Sequence, residues 1–445
     1  MLTRITWYWN RLRCMSVPEI IYRARKTTYG KIQELGFLTA RDVPSPNLIK
    51  RTPNACLSCS SVDINRYQTV ADRILSGWFK LFELGEVNIG VIPLWTRDFK
   101  SGITAPLAFG KTLNYRDESL VGDIKYLWEP NRHLQLVRIA QAYHLSKDPK
   151  YLKGLRNLLD SWFEQCPYML GPNWTSSLEL AIRLINWSLV WQLIGGLESP
   201  IFKTESGQKF RDRWLRSIYQ HAHFTAGHFS RYSSGNNHLI GEAAGLFFAC
   251  VTWPYWQETT RWCENARTIL EHEALAQNAE DGVNREQAIS YQQFVLDFLI
   301  ISALAGKAKN ISFSTAYWNR IEAMMNFVAS MMDYGGHVPM IGDADDGYVM
   351  RLEASAEWCP YRSLLATGAV LFDNQFFKAK AGSFDEKTRW LLGDAAASSY
   401  ESIPLPSDQS LLVRRAFENG GYYILGANLE TPREIRCYVD AAPLG

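Results

Sequence analysis

The chain has 445 residues, of which 47% are hydrophobic and 21% are charged, and its formal net charge is +2. This composition is typical of a globular protein of two or three domains with a large core. A net charge so close to zero argues against a surface built throughout to bind nucleic acid, although it allows one local basic groove.

Cysteine usage and hydropathy predict neither a metal centre nor a membrane span. The eight cysteines are scattered, and only Cys56 and Cys59 form a C-x-x-C pair. No second pair or close His pair completes a zinc set, so we expect reduced thiols and no cofactor. The N-terminus lacks the apolar core of a secretory signal. The longest apolar run, residues 239–251, contains Glu242 and is too short to cross a bilayer.

The predicted elements begin with an irregular lead-in over residues 1–65, which holds short basic helices at about 3–13 and 17–34. The Asp148-Pro149 pair is typical of a helix start and predicts a helix to about residue 165. Ser176 or Ser177 caps the next helix, which Gly195-Gly196 ends. Apolar residues at three- and four-residue spacing predict further helices at 208–226, 237–252, 258–278, 285–306 and 314–333.

Long helices with short connections predict antiparallel helix hairpins, with no strands between them. No sequence repeat is present, which disfavours a regular solenoid and favours a toroid. After about residue 372, the segments 410–417, 420–427 and 433–441 have the composition of strands. We therefore predict a lead-in at 1–65, a helical toroid at 66–372 and the start of a β-domain at 373–445. Three strands are few for a stable domain, so we expect that this β-domain is truncated.

Four clusters of polar residues lie at predicted helix starts or in the loops before them, namely 122–133, 171–183, 228–245 and 281–294, with a weaker one at 340–347. In a toroid of hairpins, the loops at one end converge on a central cavity. Helix N-termini carry partial positive charge, which suits an anionic ligand. The alternative interpretation is that these residues are only caps and turns.

The sequence of these clusters resembles the heparinase II/III family of polysaccharide lyases. The matching motifs are GDIK-x-x-W-E-x-NR (122–132), NW-x-SSLE-x-AIR (173–183), SSGNNHLIGEAAGL (233–246) and DGVNREQ-x-x-x-Y (281–291). The similarity covers most of residues 90–350, and residues 415–445 resemble the first strands of the family's β-sandwich. The resemblance implies a mainly α fold, an incomplete (α/α) toroid followed by an antiparallel β-sandwich. It also implies β-elimination at a uronic acid of an anionic polysaccharide.

The resemblance also implies roles for individual residues. Asn237 matches the residue that neutralises the uronate carboxylate, and Tyr291 matches the catalytic tyrosine that protonates the leaving oxygen and can serve as base. A phenol has a pKa of about 10 and needs a cationic neighbour to ionise, for which Arg285 and His238 are candidates. The predicted substrate-binding residues are His238, Arg132, Trp128, Trp174, Arg183, Arg231, Arg285 and Glu286.

One family feature has no counterpart in these residues. The family uses a catalytic His from its β-sandwich, and the last His of this chain is His337. We expect either that this His lies beyond Gly445 or that the protein has lost it, and in both cases that the lyase activity of the 445 residues is impaired. The expected location is cytoplasmic by sequence, or the cell envelope or periplasm if the substrate is an exported polysaccharide.

Two other functions stay open. A glycoside hydrolase on a toroid needs an acid and a base across a cleft; Asp343, Asp345 or Asp346 is the candidate on one side, and Glu179, Glu242 or Glu286 on the other. A non-catalytic polysaccharide-binding or biosynthetic accessory protein is the third function. The sequence does not distinguish heparan-type glycosaminoglycans, alginate-like chains and bacterial exopolysaccharides as the polymer.

Overall fold

The fold is described from a computed structural model, which covers residues 10, 13–49, 57, 59–343, 347–408 and 413–442. The predicted helix at 3–13 falls largely outside these residues. The helices are α1 Val17–Glu34, α2 Ile64–Leu75, α3 Glu118–Val121, α4 Ile124–Asn131, α5 Leu134–Ser146, α6 Pro149–Gln165, α7 Ser177–Leu193, α8 Glu205–Gly227, α9 Asn237–Thr252, α10 Glu258–Ala276, α11 Ile289–Lys307, α12 Thr315–Met331, α13 Pro360–Phe372, α14 Gln375–Ala381, α15 Glu386–Leu392 and α16 Ala395–Ser402.

The strands form two small antiparallel sheets. The first pairs β1 (Trp78–Lys80) with β2 (Glu86–Asn88), and Phe79 lies opposite Val87. The second has the order β3 (Ala416–Phe417), β4 (Tyr422–Ala427) and β5 (Ile435–Asp440). The prediction that the helical region contains no strands was therefore wrong at β1 and β2. Strands this short carry too little alternation to be recognised in a sequence.

The long helices form a double ring, which confirms the predicted toroid class. In the inner layer α5, α7, α9 and α11 pack side by side, and each hairpin partner, α6, α8, α10 and α12, lies outside. Every residue of α7 is buried. Helix α11 is the one helix among the described residues that is long and apolar enough to cross a bilayer, and nearly all of it is buried in the fold.

Aromatic residues fill the space between the layers. In the described part of the chain, eight tryptophans are almost fully buried, and Trp162, Trp187, Trp191 and Trp214 form a chain of edge-to-face contacts with centroid distances of 5.3–6.4 Å. Edge-to-face rings add stability beyond the apolar area that they bury. Much of the unusual tryptophan content therefore serves packing.

Helices α7 and α9 pack unusually close together. A Cβ atom at Gly245 would lie 2.4 Å from the carbonyl oxygen of Ala181, so a larger residue would force the helices apart. Because consecutive hairpins reverse direction twice, the inner helices run the same way, and their first turns meet at one end of the ring. This end carries four of the polar clusters.

The helical part continues to Ser402, and the strands of the second sheet begin only at Ala416, later than residue 373. A network of charges joins this sheet to the helices. Lys380 on α14 donates to Glu430 at 2.5 Å, and Arg436 on β5 donates to Glu430 at 2.6 Å and Glu434 at 2.8 Å. All four side chains are at most 8% exposed. The domain boundaries at 65 and 372 stay predictions.

Candidate functional site

The starts of the inner helices are connected by polar contacts at one end of the ring. Arg132, just before α5, donates to both carboxylate oxygens of Glu179 in the first turn of α7, each at 2.8 Å. The Ser177 hydroxyl donates to the His228 carbonyl at 2.9 Å. The Ser290 hydroxyl, in the first turn of α11, donates to the Asp343 carbonyl at 2.6 Å. The predicted clusters therefore do converge.

Asn236 and Asn237 have different roles at the start of α9. Asn236 is the N-cap, and its side-chain oxygen accepts a hydrogen bond from the His238 amide at 3.2 Å. Asn237 is the first residue of the helix and is 4% exposed. The cap is thus Asn236, which leaves the Asn237 side chain available for a tertiary contact.

That contact is with Glu286, in the loop before α11. The Asn237 side-chain amide lies 2.9 Å from both carboxylate oxygens of Glu286, and its backbone N–H donates to one of them at 2.8 Å. Asn236 donates to the other at 3.2 Å. The result is a cradle of N–H donors around one carboxylate, which is the arrangement that stabilises an oxyanion. We call Asn236, Asn237 and Glu286 the carboxylate cradle.

The loop 281–288 is held in place by its own polar side chains. Asn284 accepts a bond from the Glu286 amide at 3.0 Å and donates to the Asn278 side chain at 2.9 Å. Gln292, on α11, accepts from the Asn284 amide and donates to the Gly282 carbonyl, both at 2.8 Å. Gly282 has φ +94°, and a Cβ there would lie 2.1 Å from a carbonyl oxygen of α12. Glu286 is therefore presented by a rigid loop.

Burial raises the pKa of the Glu286 carboxyl above its ordinary value. The amide donors of Asn237 and Asn236 act in the opposite direction, because they stabilise the charged form, and burial outweighs them. The carboxylate cradle therefore holds a group that takes up a proton more readily than an exposed glutamate does.

Tyr291 and His238 occupy matching positions on neighbouring helices. Tyr291 is in the first turn of α11, His238 is in the first turn of α9, and both side chains are half-buried. Helices α9 and α11 pack directly against each other, and Glu286 links the two helix starts. Arg285 is exposed, and Arg231 is half-buried, with its guanidinium 5.7 Å from the Phe229 ring.

Two predicted substrate-binding residues lie in the core instead. Arg183 is 0% exposed; its guanidinium donates to the Asn131 carbonyl at 2.7 Å, lies 2.9 Å from the His221 ring nitrogen and stacks over Trp162. Trp174 is 1% exposed and donates to the Cys166 carbonyl at 3.3 Å. The prediction that these two side chains contact substrate was therefore wrong, because neither reaches a surface.

Arg132 and Trp128 are also engaged within the protein. The Arg132 side chain is 11% exposed and forms the bidentate pair with Glu179 described above. The Trp128 indole donates to the Pro172 carbonyl at 3.1 Å and remains half-buried. Their predicted role in substrate binding stays a prediction. Sequence reasoning did not find Asn236, Asn284 or Gln292, although polar residues inside an apolar helix pattern are a usable signal for such supports.

No metal-binding group is found among the described residues, where no three His, Cys, Asp or Glu side chains come together. Two of the aspartates considered for hydrolysis, Asp345 and Asp346, lie outside the described residues. Asp343 is exposed.

Comparisons with known proteins agree with this arrangement. Residues 94–361 match the family model for the heparinase II/III N-terminus. The chain is 25% identical over 243 residues to a heparin-sulfate lyase of Pedobacter heparinus and 28% identical over 187 residues to one of Bacteroides thetaiotaomicron. These alignments include 53% and 41% of this chain, but only 35% and 25% of the relatives.

Solved structures show the same fold. Superposition on a heparan sulfate lyase HepC from Pedobacter heparinus gives a TM-score of 0.54 at 20% identity, over 88% of this chain and 54% of that one. A crystal structure of heparinase III gives 0.61 at 16% identity, over 96% and 59%. With a family match over more than half of its residues, the chain belongs to the heparinase II/III family.

Proposed function

We propose that the protein is a polysaccharide lyase that cleaves a uronic-acid-containing anionic polymer by β-elimination. The observation that supports this most directly is the carboxylate cradle, in which the Asn237 amide already binds a carboxylate, while Tyr291 lies in the first turn of the neighbouring helix α11. The curated relatives are heparin-sulfate lyases, which favours a glycosaminoglycan substrate.

In this proposal a substrate carboxylate takes the place of the Glu286 carboxylate on Asn237. Hydrogen bonding to the substrate carboxylate stabilises the enolate-like charge that develops when C5 loses its proton. Tyr291, acting as the base in its ionised form, removes the C5 proton; the electron pair of the C5–H bond forms the C4–C5 double bond, and the C4–O bond to the leaving sugar breaks. Tyr291 then delivers this proton to the departing oxygen. No water is consumed.

The contacts favour elimination over the hydrolase alternative. Of the three candidate glutamates, Glu179 is paired with Arg132, and Glu242 is 1% exposed and accepts two bonds from Ser230. Neither is placed to activate a water molecule. Glu286 is bound by two asparagines.

The test is a panel of uronate polymers, including heparan sulfate, alginate and hyaluronan, with product formation followed by near-ultraviolet absorbance. Elimination leaves an unsaturated uronate that absorbs there, and hydrolysis does not. Tyr291→Phe should lower kcat by about 10²–10⁴-fold while polymer binding is retained. Tyr334→Phe is the matched control, because Tyr334 is 53% exposed and lies outside the site. New reducing ends without absorbance would contradict elimination.

A further inference from the structure

A cavity opens at the same end of the ring, away from the carboxylate cradle. It has a volume of about 610 Å³ and lies between α2, the β1–β2 hairpin, the start of α5 and the segment 348–356. This volume is within the range of about 300–1,000 Å³ that is usual for ligand sites. Its lining shares no residue with the cradle or with Tyr291.

The charges that line this cavity are unbalanced. It is lined by four cations, Arg73, Lys80, Arg138 and Arg351, and by two carboxylates, Glu86 and Glu129, so that its lining has an excess of two positive charges. Glu86 is paired with Arg73 at 2.5 Å, and Glu129 lies 3.4 Å from Arg132, which Glu179 also binds. Among the described residues, Lys80, Arg138 and Arg351 have no carboxylate within 4 Å.

The two arginines are held in position by backbone carbonyls. Arg138 is 7% exposed and donates to the Glu353 carbonyl, while Arg351 donates to the Ser355 carbonyl at 3.0 Å. The Nε–H of Arg351 is buried and has no hydrogen-bond partner among the described residues. Burial and the neighbouring Arg351 lower the pKa of Arg138 to about 10. The carboxylates of Glu353, Glu386 and Glu129 lie near enough to attract the two guanidinium groups, but none of them forms an ion pair with either. An anion in the cavity would supply a directly hydrogen-bonded counter-charge.

The remaining wall suits a sugar ring. Trp78, on β1, is half-buried in the cavity wall, with the Arg73 guanidinium 5.0 Å from its ring. Indole faces pack well against the apolar face of a ring while charged groups nearby bind its substituents. The cavity therefore combines oxyanion donors with an aromatic surface.

We propose that this cavity binds an oxyanion substituent, a sulfate ester or a uronate carboxylate, on a sugar unit of the same polysaccharide that occupies the carboxylate cradle. The inference rests on the proposed function for the identity of the polymer. Helix α7 separates α5 from α9 in the inner layer. With interaxial distances of about 8–10 Å, the cavity lies roughly 16–20 Å from the cradle. The bound chain must therefore extend over several sugar units, and short oligosaccharides reach only one of the two sites.

The experiment measures the Kd of size-defined heparan sulfate oligosaccharides and of their chemically desulfated counterparts by calorimetry, in the Tyr291→Phe background. Arg351→Gln should weaken binding of long oligosaccharides about tenfold, and Arg351→Lys should restore part of it, since the charge returns without the fork of donors. The Lys80 side chain is exposed, so Lys80→Gln should leave the fold intact, and it should weaken binding less than Arg351→Gln does. Arg213→Gln, which removes an exposed surface pair with Asp160, is the matched control and should leave Kd unchanged.

The two probes distinguish the source of the oxyanion. Weakening confined to the sulfated oligosaccharide assigns a sulfate ester to the cavity, and equal weakening of both assigns a carboxylate. Wild-type Kd for both probes in Arg351→Gln and Lys80→Gln would overturn the proposal. Near-ultraviolet absorbance of the wild-type chain is recorded in parallel. New reducing ends without near-ultraviolet absorbance, together with cavity-dependent binding, would refute the lyase proposal alone, whereas near-ultraviolet product with unaltered binding would refute the cavity alone.

Discussion

The Asn237 side-chain amide lies 2.9 Å from each carboxylate oxygen of Glu286, so the group proposed to receive the substrate carboxylate already binds one from the protein itself. This pairing orients the amide before substrate arrives. It also means that an acidic sugar must compete with Glu286 for the same donors. The competition gives Glu286 a measurable influence on substrate affinity.

Replacing Glu286 by Gln should lower KM for an anionic polymer several-fold at low salt. The substitution removes a negative charge from the carboxylate cradle, and with it the repulsion of the incoming carboxylate. The effect should shrink as salt is added, because screening weakens charge interactions. Steady-state kinetics at two salt concentrations check this, with the surface variant Glu205→Gln as control. A KM that rises in Glu286→Gln would show that Glu286 binds substrate favourably.

Replacing Asn237 by Ala should reduce kcat by about 10²–10³-fold, the usual effect of deleting one oxyanion donor. Thermal unfolding should be measured alongside, because Glu286 loses a donor and destabilisation of about 1–3 kcal/mol is expected. Asn65→Ala, at an exposed position on α2, is the control. If kcat were unchanged in Asn237→Ala, the Asn237 side chain would not be required for catalysis.

Replacing Arg183 by Ala should destabilise the fold by about 3 kcal/mol and leave KM unchanged at temperatures where the variant is folded. The substitution leaves the Asn131 carbonyl and the His221 nitrogen without a partner and opens a cavity beside Trp162. Arg183→Met, which fills more of the space, should cost less. Denaturant unfolding combined with kinetics checks this. If Arg183→Ala had wild-type stability but a raised KM, the result would support the predicted role of Arg183 in substrate binding.

Glu242 should make stability depend on pH. Burial raises its pKa from 4.5 to about 7, against the opposing effect of the bonds from Ser230. The folded state thus retains a proton that the unfolded chain loses, so stability falls as pH rises from about 4.5 to about 7, by about 3 kcal/mol in total. Glu242→Gln should flatten this decline, which denaturant unfolding at several pH values measures. An unchanged slope would show that Glu242 is ionised throughout.

The sequence predicted the helical ring well because its signals are local. The bounds of α6, α7 and α9 follow from Asp148, the Ser176–Ser177 pair and the apolar spacing, each of which acts within a few residues. Strands β1 and β2 escaped prediction since two three-residue strands depend on their pairing with each other. The predicted strand segments 410–417, 420–427 and 433–441 overlap β3, β4 and β5, whereas α14 to α16 were not predicted because they are short helices with little periodicity.

The sequence identified residues of the candidate site, but it did not predict which of them are hydrogen-bonded to each other. The motifs at 233–246 and 281–291 mark Asn237 and Glu286 as unusual, yet no spacing rule indicates that two residues 49 positions apart are hydrogen-bonded to each other. Arg183 illustrates the opposite error. Helix α7 is apolar on all sides, and a helix of that kind is enclosed by protein. That signal predicts a core position for Arg183.

The buried charges at the second sheet have a consequence for dissecting the molecule. Lys380 belongs to the helical part, while its counter-charge Glu430 follows β4. A fragment that ends before the strands would lose this buried ion pair together with the hydrogen bonds from Arg436 to the Ser330 carbonyl and from Tyr438 to the Met331 carbonyl, so the end of α12 would lose its cover. Ring and sheet are therefore expected to melt in a single transition, and neither half is a faithful stand-in for the intact chain.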